Sequence, residues 1–305
     1  MSTLLAALSW RFIEQPVLAR PLNRGLVTQA IAASLVAVVA GTAFIITNGF
    51  PRRFPPQALQ LFAQRNDSNP MRERCHDKPH SPVTYSASCR FGTPGRDNAI
   101  AVWGDSFGAE LAPALGKLLP KRTIMELTSS GCPPAPGYAP TDRPQCASHN
   151  QEILSDLVRD RHVRTVILVA RYFGYEGDDW SAFQSGFTRA ITTLKAAGKH
   201  VVLVYPIPEF FYSVPDATGL LAARGISPQT YHVSLKQFRS ENALAIAELD
   251  RLSARYNLPR VFPDRIFCSG DVCPAYDGRH VLYFDSTHVS THGARKLAAA
   301  LMKVL

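Results

Sequence analysis

The chain has 305 residues, of which 46% are hydrophobic and 19% are charged. It is therefore long and apolar enough to bury a large core, and this composition excludes a chain that is disordered throughout. The formal net charge of +9 is concentrated before residue 99, where eleven Lys or Arg occur with five Asp or Glu. Because these cations flank an apolar segment, they indicate contact with lipid headgroups, and we expect no nucleic acid partner.

The first long element is an apolar segment without charge, residues 26–47. Its length matches the roughly 20 residues that cross a hydrocarbon core. It is longer than the apolar region of a signal peptide and begins later, so we predict one transmembrane helix, with a cleaved signal peptide or a buried core helix as the alternatives. Arginines lie on both sides, at Arg20, Arg24, Arg52 and Arg53, and so do not indicate its orientation.

Six cysteines follow this segment and form three neighbouring couples: Cys75 with Cys89, Cys132 with Cys146, and Cys268 with Cys273. Such couples are typical of disulfides, which persist in oxidising compartments, although the sequence does not fix the pairing and buried thiols are the alternative. A zinc site is disfavoured because the sequence has no Cys-x-x-Cys couple and no histidine at a finger-like offset from the cysteines. The cysteines therefore predict that the larger part of the chain folds outside the cytoplasm.

Residues 48–98 are rich in Pro, Arg, Ser and Asn and have no long periodic run, which predicts a linker and a disulfide-tied extension. From residue 99 onward, short apolar runs alternate with helical patterns. Strands are predicted at residues 99–103, 123–128, 163–170, 200–205 and 260–262. Helices are predicted at residues 109–119, 147–161, 180–197, 235–255 and 291–305. Strands joined by such helices indicate an α/β fold, a three-layer α/β/α sandwich with a parallel sheet.

Two motifs in this pattern can carry chemistry. Gly104-Asp105-Ser106 follows the first predicted strand, and Asp285-Ser286-Thr287-His288 precedes the last predicted helix. A serine hydroxyl becomes a nucleophile when a base removes its proton, and the base needs a third group to orient it. Each motif alone is common, and a serine after a strand is often only a helix cap. Together they predict Ser106 as the nucleophile, His288 as the base and Asp285 as its partner.

The order and placement of these motifs resemble the SGNH (GDSL-like) hydrolase superfamily over residues 96–305. The resemblance implies that Ser106 is also the first oxyanion donor and that His288 acts as both general base and general acid. It further implies that the backbone N–H of Gly131 joins the oxyanion hole; a turn glycine needed only for its backbone angle is the alternative. Asp105 is expected to brace the turn that carries Ser106.

One position departs from the superfamily pattern. An asparagine is usual after the third strand, but this sequence has Val169-Ala170-Arg171-Tyr172-Phe173. An Ala-Arg-aromatic phrase at this place is similar to the SGNH domains that are attached to acyltransferase-3 membrane proteins. Arg171 is expected either to contact the oxyanion or an acceptor, or to form a structural ion pair.

The N-terminal phrase Trp10-Arg11-Phe12-Ile13-Glu14-Gln15-Pro16 resembles the end of an acyltransferase-3 membrane domain. The implied parts are residues 1–25 as the tail of that domain, 26–47 as the transmembrane helix, 48–98 as the linker and extension, and 99–305 as the SGNH catalytic domain. The other membrane helices of such a domain are missing from this chain. The chain is therefore expected to be a piece of a longer protein, or a subunit that needs a separate acyltransferase-3 membrane domain as its partner.

The resemblance implies a function in acyl transfer. It implies a membrane-anchored O-acyltransferase, most simply for acetyl groups, that modifies a hydroxyl of a polysaccharide or glycolipid through an acyl-Ser106 intermediate. The single span would lie in the inner membrane and the catalytic domain in the periplasm, and a membrane partner would supply the acyl donor, with no bound cofactor. A carbohydrate esterase of the same fold and an inactive glycan-binding module are the alternatives.

No metal is expected at this site. His292 lies four residues beyond His288 and could be grouped with it and Asp285 as ligands on one helical face. A catalytic triad accounts for Asp285 and His288 without a metal. His292 is therefore expected on the surface of the last helix.

Overall fold

The computed structural model describes residues 2–15, 24–47, 49–76, 83–93, 95, 97–177 and 179–305. The chain divides into two compact units, Met1–Phe54 and Pro55–Leu305. Two residues that entered the predictions for the N-terminal region, Pro16 and Arg20, lie outside the described residues.

The N-terminal unit is helical. Helix Ser2–Ser9 continues into a π-helical turn, Trp10–Glu14, and a second helix spans Arg24–Ile46. Within the second helix, Val27–Ile46 is long and apolar enough to cross a membrane and is not buried inside the protein. Water would be an unfavourable environment for apolar side chains on every face of a helix, whereas a bilayer accepts them. This helix is the candidate membrane span among the described residues, at the position predicted from the sequence.

The second unit is built on a six-stranded sheet with the strand order β1-β3-β2-β4-β5-β7. Its neighbouring strands are parallel, except that β1 runs antiparallel to β3. A separate antiparallel pair is formed by β6 and β8. The strands are β1 Arg90–Gly92, β2 Ala99–Gly104, β3 Thr123–Thr128, β4 Val163–Val169, β5 His200–Val204, β6 His232–Ser234, β7 Arg260–Val261 and β8 Val272–Pro274.

Helices cover both faces of this sheet. Alternate residues of a strand point to opposite faces, and both sets are buried in β2. Ala101 and Trp103 pack in one hydrophobic cluster with three helices, which are Cys146–Arg159, Trp180–Ala196 and Ala243–Tyr256. Ile100 and Val102 lie on the other face, which is covered by two helices that contact each other, Leu111–Leu118 and Thr291–Leu301. The predicted three-layer α/β/α sandwich is confirmed.

The prediction of a single helix over residues 235–255 is wrong. The structure has two helices, Leu235–Glu241 and Ala243–Tyr256, separated at Asn242. The Asn242 side chain donates a hydrogen bond to the carbonyl oxygen of Phe238 at 3.0 Å. Asparagine competes in this way for backbone groups that would otherwise continue a helix. The remaining α-helices are Pro56–Ala63, Arg72–Cys75, Val214–Ala223 and Asp264–Phe267.

Much of the segment predicted as linker and extension is folded into the second unit. Helix Pro56–Ala63 packs against helix Val214–Ala223, and β1 forms an edge of the main sheet. The sheet is therefore mostly parallel, and the expectation of a wholly parallel sheet is corrected at β1. A strand of three residues is too short to show an alternating pattern in the sequence.

Three disulfides join the three neighbouring couples of cysteines, and all six are paired. Cys75–Cys89 ties helix Arg72–Cys75 to the residue before β1. Cys132–Cys146 closes the loop between β3 and the next helix. The prediction of three local disulfides is confirmed.

Candidate active site

The turn after β2 presents Ser106 at the carboxyl edge of the sheet. Asp105 accepts a hydrogen bond through Oδ1 from the N–H of Phe107 at 2.9 Å, which begins the short 3₁₀ turn Ser106–Gly108. The strand must end in glycine because a Cβ at Gly104 would lie 2.1 Å from the carbonyl oxygen of the neighbouring Val169. This close approach holds the serine turn tightly against β4.

The structure brings the three predicted triad side chains together. Ser106 Oγ lies 2.7 Å from His288 Nε2, and His288 Nδ1 lies 2.7 Å from Asp285 Oδ2. The other oxygen of Asp285 accepts hydrogen bonds from the backbone N–H groups of Thr287 at 2.8 Å and His288 at 2.7 Å. The three bonds to Asp285 fix the carboxylate, and the carboxylate fixes the imidazole with Nε2 towards the serine.

The charge state of Asp285 suits this arrangement. Burial alone would raise its pKa, but the hydrogen bond and electrostatic attraction to the His288 ring, with the two backbone donors, hold the pKa below its ordinary value. An ionised carboxylate favours the tautomer with the proton on Nδ1 and stabilises the ring when it gains a second proton.

Asp105 is a buried brace for the serine turn. Its side chain is 1% exposed, and its Oδ2 accepts hydrogen bonds from the N–H of Arg171 at 2.7 Å and from the hydroxyl of Tyr175 at 2.6 Å. Burial raises its pKa, and these bonds and that from Phe107 oppose the rise. Asp105 thus joins the turn that carries Ser106 to the segment that follows β4.

A pocket of about 840 Å³ opens in front of the serine and histidine. Gly131 lies in its wall with φ +68°, a left-handed conformation that favours glycine. The predicted residues Ser106, Gly131, Arg171 and His288 therefore share one pocket. Its other lining residues are Asp105, Ser130, Pro140, Thr141, Asp142, Arg143, Gly174, Tyr175, Gly177 and Thr287.

Arg171 forms an ion pair. Its Nε and Nη2 donate to the carboxylate of Glu209 at 2.9 and 2.7 Å. This hydrogen bond is the main reason that the pKa of Arg171 is raised. Of the two sequence-based expectations for this residue, the structure shows the ion pair, and contact with an oxyanion stays a prediction.

Two aromatic rings hold the His288 imidazole. Phe107 lies at 5.3 Å between ring centroids, and Phe284 stacks at 5.6 Å with an angle of 13° between the planes. The guanidinium of Arg72 lies over the Phe284 ring at 5.5 Å and also donates to both carboxylate oxygens of buried Glu110, at 2.5 and 2.6 Å. Arg72 and Glu110 were not predicted from the sequence, although a lone glutamate in the apolar run after the serine motif was a signal.

A buried polar chain on β3 was also missed. His76 Nδ1 donates to Thr128 Oγ1 at 2.8 Å, and the same hydroxyl donates to Glu126 Oε1 at 2.9 Å. Burial lowers the pKa of His76 to about 3 and raises the pKa of Glu126 to about 8. Both side chains are therefore neutral near pH 7, and a glutamate inside a buried strand was the signal in the sequence.

His292 lies near two other potential metal ligands and apart from the triad. Asp277, His280 and His292 have ligand atoms within 4.8 Å of one another. Asp277 already accepts hydrogen bonds from His292 Nε2 at 2.7 Å and from Lys296 Nζ at 3.1 Å. Burial raises the pKa of Asp277, but the backbone N–H of His280, these two side-chain bonds and the backbone N–H of Arg279 together lower it below its ordinary value. Asp277 is therefore already bonded on several sides, and the ammonium of Lys296 opposes a cation there.

Known proteins resemble this chain in sequence pattern and in fold. A family model described as an SGNH domain fused to AT3 domains matches residues 74–303. The periplasmic domain of a lipopolysaccharide acetyltransferase from Salmonella ser. Paratyphi A has a TM-score of 0.62 and 16% identity, covering 82% of this chain and 97% of that chain. A carbohydrate acetylesterase from Sinorhizobium meliloti has a TM-score of 0.46 and 12% identity, covering 68% of this chain and 98% of that chain. No curated protein sequence matches the chain.

At 16% identity, the likeness to the Salmonella domain establishes the fold alone. The family match covers most of the second unit and includes the serine turn, the disulfide-tied loop after β3 and the Asp-x-x-His motif. This chain belongs to the family of SGNH domains that are fused to AT3 domains.

Proposed function

We propose that this protein transfers an acyl group, acetyl in the simplest case, to a hydroxyl of a polysaccharide or glycolipid through an acyl-Ser106 intermediate. The observation that carries the proposal is the chain of 2.7 Å contacts from Ser106 through His288 to Asp285 at the wall of an open pocket. A serine in such a chain can lose its proton as it attacks a carbonyl carbon.

The first half of the reaction forms the acyl-enzyme. Ser106 Oγ attacks the carbonyl carbon of the donor while His288 Nε2 takes the serine proton, and the carbonyl electron pair moves onto its oxygen. The tetrahedral intermediate then collapses, the bond to the donor's leaving atom breaks, and His288 returns the proton to that atom. Asp285 stabilises the imidazolium during both steps.

The second half transfers the acyl group. An acceptor hydroxyl enters the pocket, gives its proton to His288 and attacks the acyl carbon, and Ser106 leaves with that proton. The developing negative charge on the carbonyl oxygen would be stabilised by the backbone N–H groups of Ser106 and Gly131, which do not have to reorganise because the turns are fixed. The disulfide Cys132–Cys146 begins one residue after Gly131 and supports that turn.

The setting of the reaction is part of the proposal. Three disulfides are typical of a protein in an oxidising compartment. With Val27–Ile46 as a span of the inner membrane, the SGNH domain would lie in the periplasm. Family membership supports a separate or preceding acyltransferase-3 membrane domain as the supplier of the acyl group, so that no cofactor has to be bound by this chain.

Hydrolysis is the second candidate function, because the pocket is open and water can take the place of the acceptor in the second half. The two reactions differ only in which hydroxyl reaches the acyl-enzyme. An inactive glycan-binding module is disfavoured by the assembled triad, which a binding module does not need.

The test is a mass measurement on the full chain in detergent. After exposure to 4-nitrophenyl acetate or a fluorophosphonate, the wild-type protein is expected to gain one adduct and Ser106→Ala none. Acceptor glycans are then added to the ester reaction: transfer predicts faster release of nitrophenol and an acetylated glycan, whereas hydrolysis predicts free acetate at an unchanged rate. Folded, oxidised protein that gains no adduct would contradict both reactions.

A further inference from the structure

Arg143 is a cation in the pocket wall with an unused hydrogen-bond donor. Its Nε is shielded from solvent and has no hydrogen-bond partner among the described residues. Its Nη2 lies 3.7 Å from Asp142 Oδ2, but the Asp142 side chain is 75% exposed and that of Arg143 only 24%. Buried polar groups are nearly always hydrogen-bonded, so an unpaired buried N–H of a cation requires an explanation.

The other arginine in the pocket does not share this property. Arg171 donates through Nε and Nη2 to Glu209, which compensates its charge. Among the described residues, the carboxylate that lies near Arg143 is that of the solvent-exposed Asp142, at 3.7 Å. Within the described part of the pocket, Arg143 is therefore the arginine that lacks a close carboxylate partner, and it also has the unpaired Nε.

Arg143 also lies against the glycine of the proposed oxyanion hole. A Cβ added to Gly131 would lie 3.1 Å from Arg143 Nε. The guanidinium thus occupies the space that a side chain at position 131 would fill, directly beside the backbone of Gly131. Any other residue at 131 would meet both the left-handed φ of +68° and this guanidinium.

The loop that carries Arg143 is fixed in place. The disulfide Cys132–Cys146 joins its two ends, and the N–H of Cys146 donates to the carbonyl oxygen of Arg143 at 3.0 Å. At the other side, the N–H of Arg143 donates to the carbonyl oxygen of Pro140 at 2.8 Å. A donor that is held in place before the reaction stabilises a developing charge more strongly than one that must reorient.

We propose that Arg143 is a further catalytic residue, whose guanidinium, as part of the pocket lining, donates a hydrogen bond to the acyl carbonyl oxygen as that oxygen becomes negative in the tetrahedral intermediate. The inference rests on the proposed acyl chemistry at Ser106. In this protein β4 is followed by Arg171, where the superfamily usually has an asparagine. Arg143 would supply a side-chain donor to the oxyanion. A cation in this position also offsets the negative charge of the intermediate, which a neutral amide does not.

The experiment compares Arg143→Met, Arg143→Lys and Arg189→Met in the full chain. Arg189 is the matched control, because its Nη1 lies 3.1 Å from the Cβ position of another left-handed glycine, Gly137, and it is exposed outside the pocket lining. The rates of 4-nitrophenyl acetate turnover and the inhibition constant of an alkyl boronic acid, which forms a tetrahedral adduct on serine, are measured for each.

Loss of one oxyanion donor lowers kcat by about 10²–10³-fold, so this fall is expected for Arg143→Met, with little change in KM. Boronic acid affinity is expected to fall in parallel, since the adduct places an oxygen where the oxyanion forms. Arg143→Lys keeps the charge and is expected to retain part of the rate, and Arg189→Met all of it. If Arg143 had a purely structural role, the affinity for the boronic acid would not fall in proportion to kcat.

Several results would overturn the inference. One is a folded Arg143→Met protein with wild-type kcat and boronic acid affinity. Another is a loss confined to acidic acceptor glycans, which would place Arg143 in acceptor binding. If Arg143→Met does not fold, Arg143→Lys is the deciding variant: wild-type turnover and wild-type boronic acid affinity in Arg143→Lys would contradict the inference.

The adduct experiment separates this inference from the proposed function. If wild-type protein forms no Ser106 adduct, the proposed function fails and this inference fails with it. If Arg143→Met forms the Ser106 adduct as fast as wild type, only this inference fails.

Discussion

The hydroxyl of Tyr175 donates a 2.6 Å hydrogen bond to the buried carboxylate of Asp105, which caps the turn that carries Ser106. The two residues follow different strands of the sheet, β2 and β4. Their bond therefore fixes the turn of Ser106 relative to the part of the pocket wall that Tyr175 forms.

Tyr175→Phe removes this bond but keeps the ring, which stacks on Phe183 at 5.9 Å. We expect unfolding free energy to fall by about 1–3 kcal/mol, because a buried acceptor loses a donor. Acylation of Ser106 is expected to slow on the order of tenfold, because the turn loses a restraint. Urea unfolding and fluorophosphonate labelling rates measure the two effects.

Tyr172→Phe is the matched control for this prediction. Its hydroxyl donates to the carbonyl oxygen of Val204 at 3.0 Å and does not contact the serine turn. It should lower stability by about 1 kcal/mol and leave the labelling rate unchanged. Equal labelling rates in the two variants would contradict a positioning role for Tyr175.

Asp285→Asn should lower the acylation rate by about 10⁴-fold, as expected when the partner of a catalytic histidine no longer fixes its tautomer. Single-turnover release of nitrophenol measures it. Asp277→Asn is the control, because Asp277 makes an equal 2.7 Å contact with a histidine, His292, away from the nucleophile. A comparable loss in both variants would show that the effect is not specific to the triad.

Glu126 makes stability depend on pH in a defined direction. Its pKa rises from 4.5 to about 8 on folding, so the folded protein keeps a proton that the unfolded chain releases. The contribution of this bound proton to the free energy of unfolding is fully present below about pH 4.5 and is lost as the pH rises through about 8. His76 acts oppositely: its pKa falls from 6.5 to about 3, so stability is lost as the pH falls through that range.

Glu126→Gln cannot ionise, so it should gain stability relative to wild type as the pH rises, by up to about 1.4 kcal/mol per pH unit. Urea midpoints measured at several pH values between 5 and 8 give the difference, spanning the range set by the two pKa values. Glu152→Gln, on an exposed position of helix Cys146–Arg159, is the control and should show no such trend. A constant difference between Glu126→Gln and wild type would contradict the proposed charge state.

Arg72→Met should destabilise the fold by about 3–5 kcal/mol, because it leaves buried Glu110 without its cation. The loss should shrink at lower pH, where Glu110 takes up a proton; burial already raises its pKa. Arg65→Met removes an exposed ion pair with Asp216 and should cost about 0–1 kcal/mol. Equal urea midpoints for the two variants would be inconsistent with a buried pair at Arg72.

The strands of the main sheet and the serine and histidine motifs were predictable because each has a local signature in the sequence. Strands β2 to β5 are five to seven residues long and rich in β-branched or other apolar residues. The triad follows from the placement of two short motifs at strand and helix ends, together with the edge that parallel strands share. The three disulfides follow from the short separation of their cysteines.

The supporting residues behind the triad had no such signature. Arg72 meets Glu110 across 38 residues, and His76 meets Thr128 across 52. Both come from a segment without periodicity, so only the folded chain shows that they lie near His288. The break at Asn242 was missed for the opposite reason, because a single competing side chain interrupts a continuous helical pattern.

The disulfide Cys75–Cys89 fixes the segment of the chain that supports His288 from behind. Cys75 lies between Arg72, which supports the ring behind His288, and His76, which enters the polar chain under β3. A chain with these two thiols reduced would lack the covalent tether that keeps this segment in place. Formation of this one bond therefore ties the segment Arg72–Cys75, which supports the triad from behind, to the strand edge at β1.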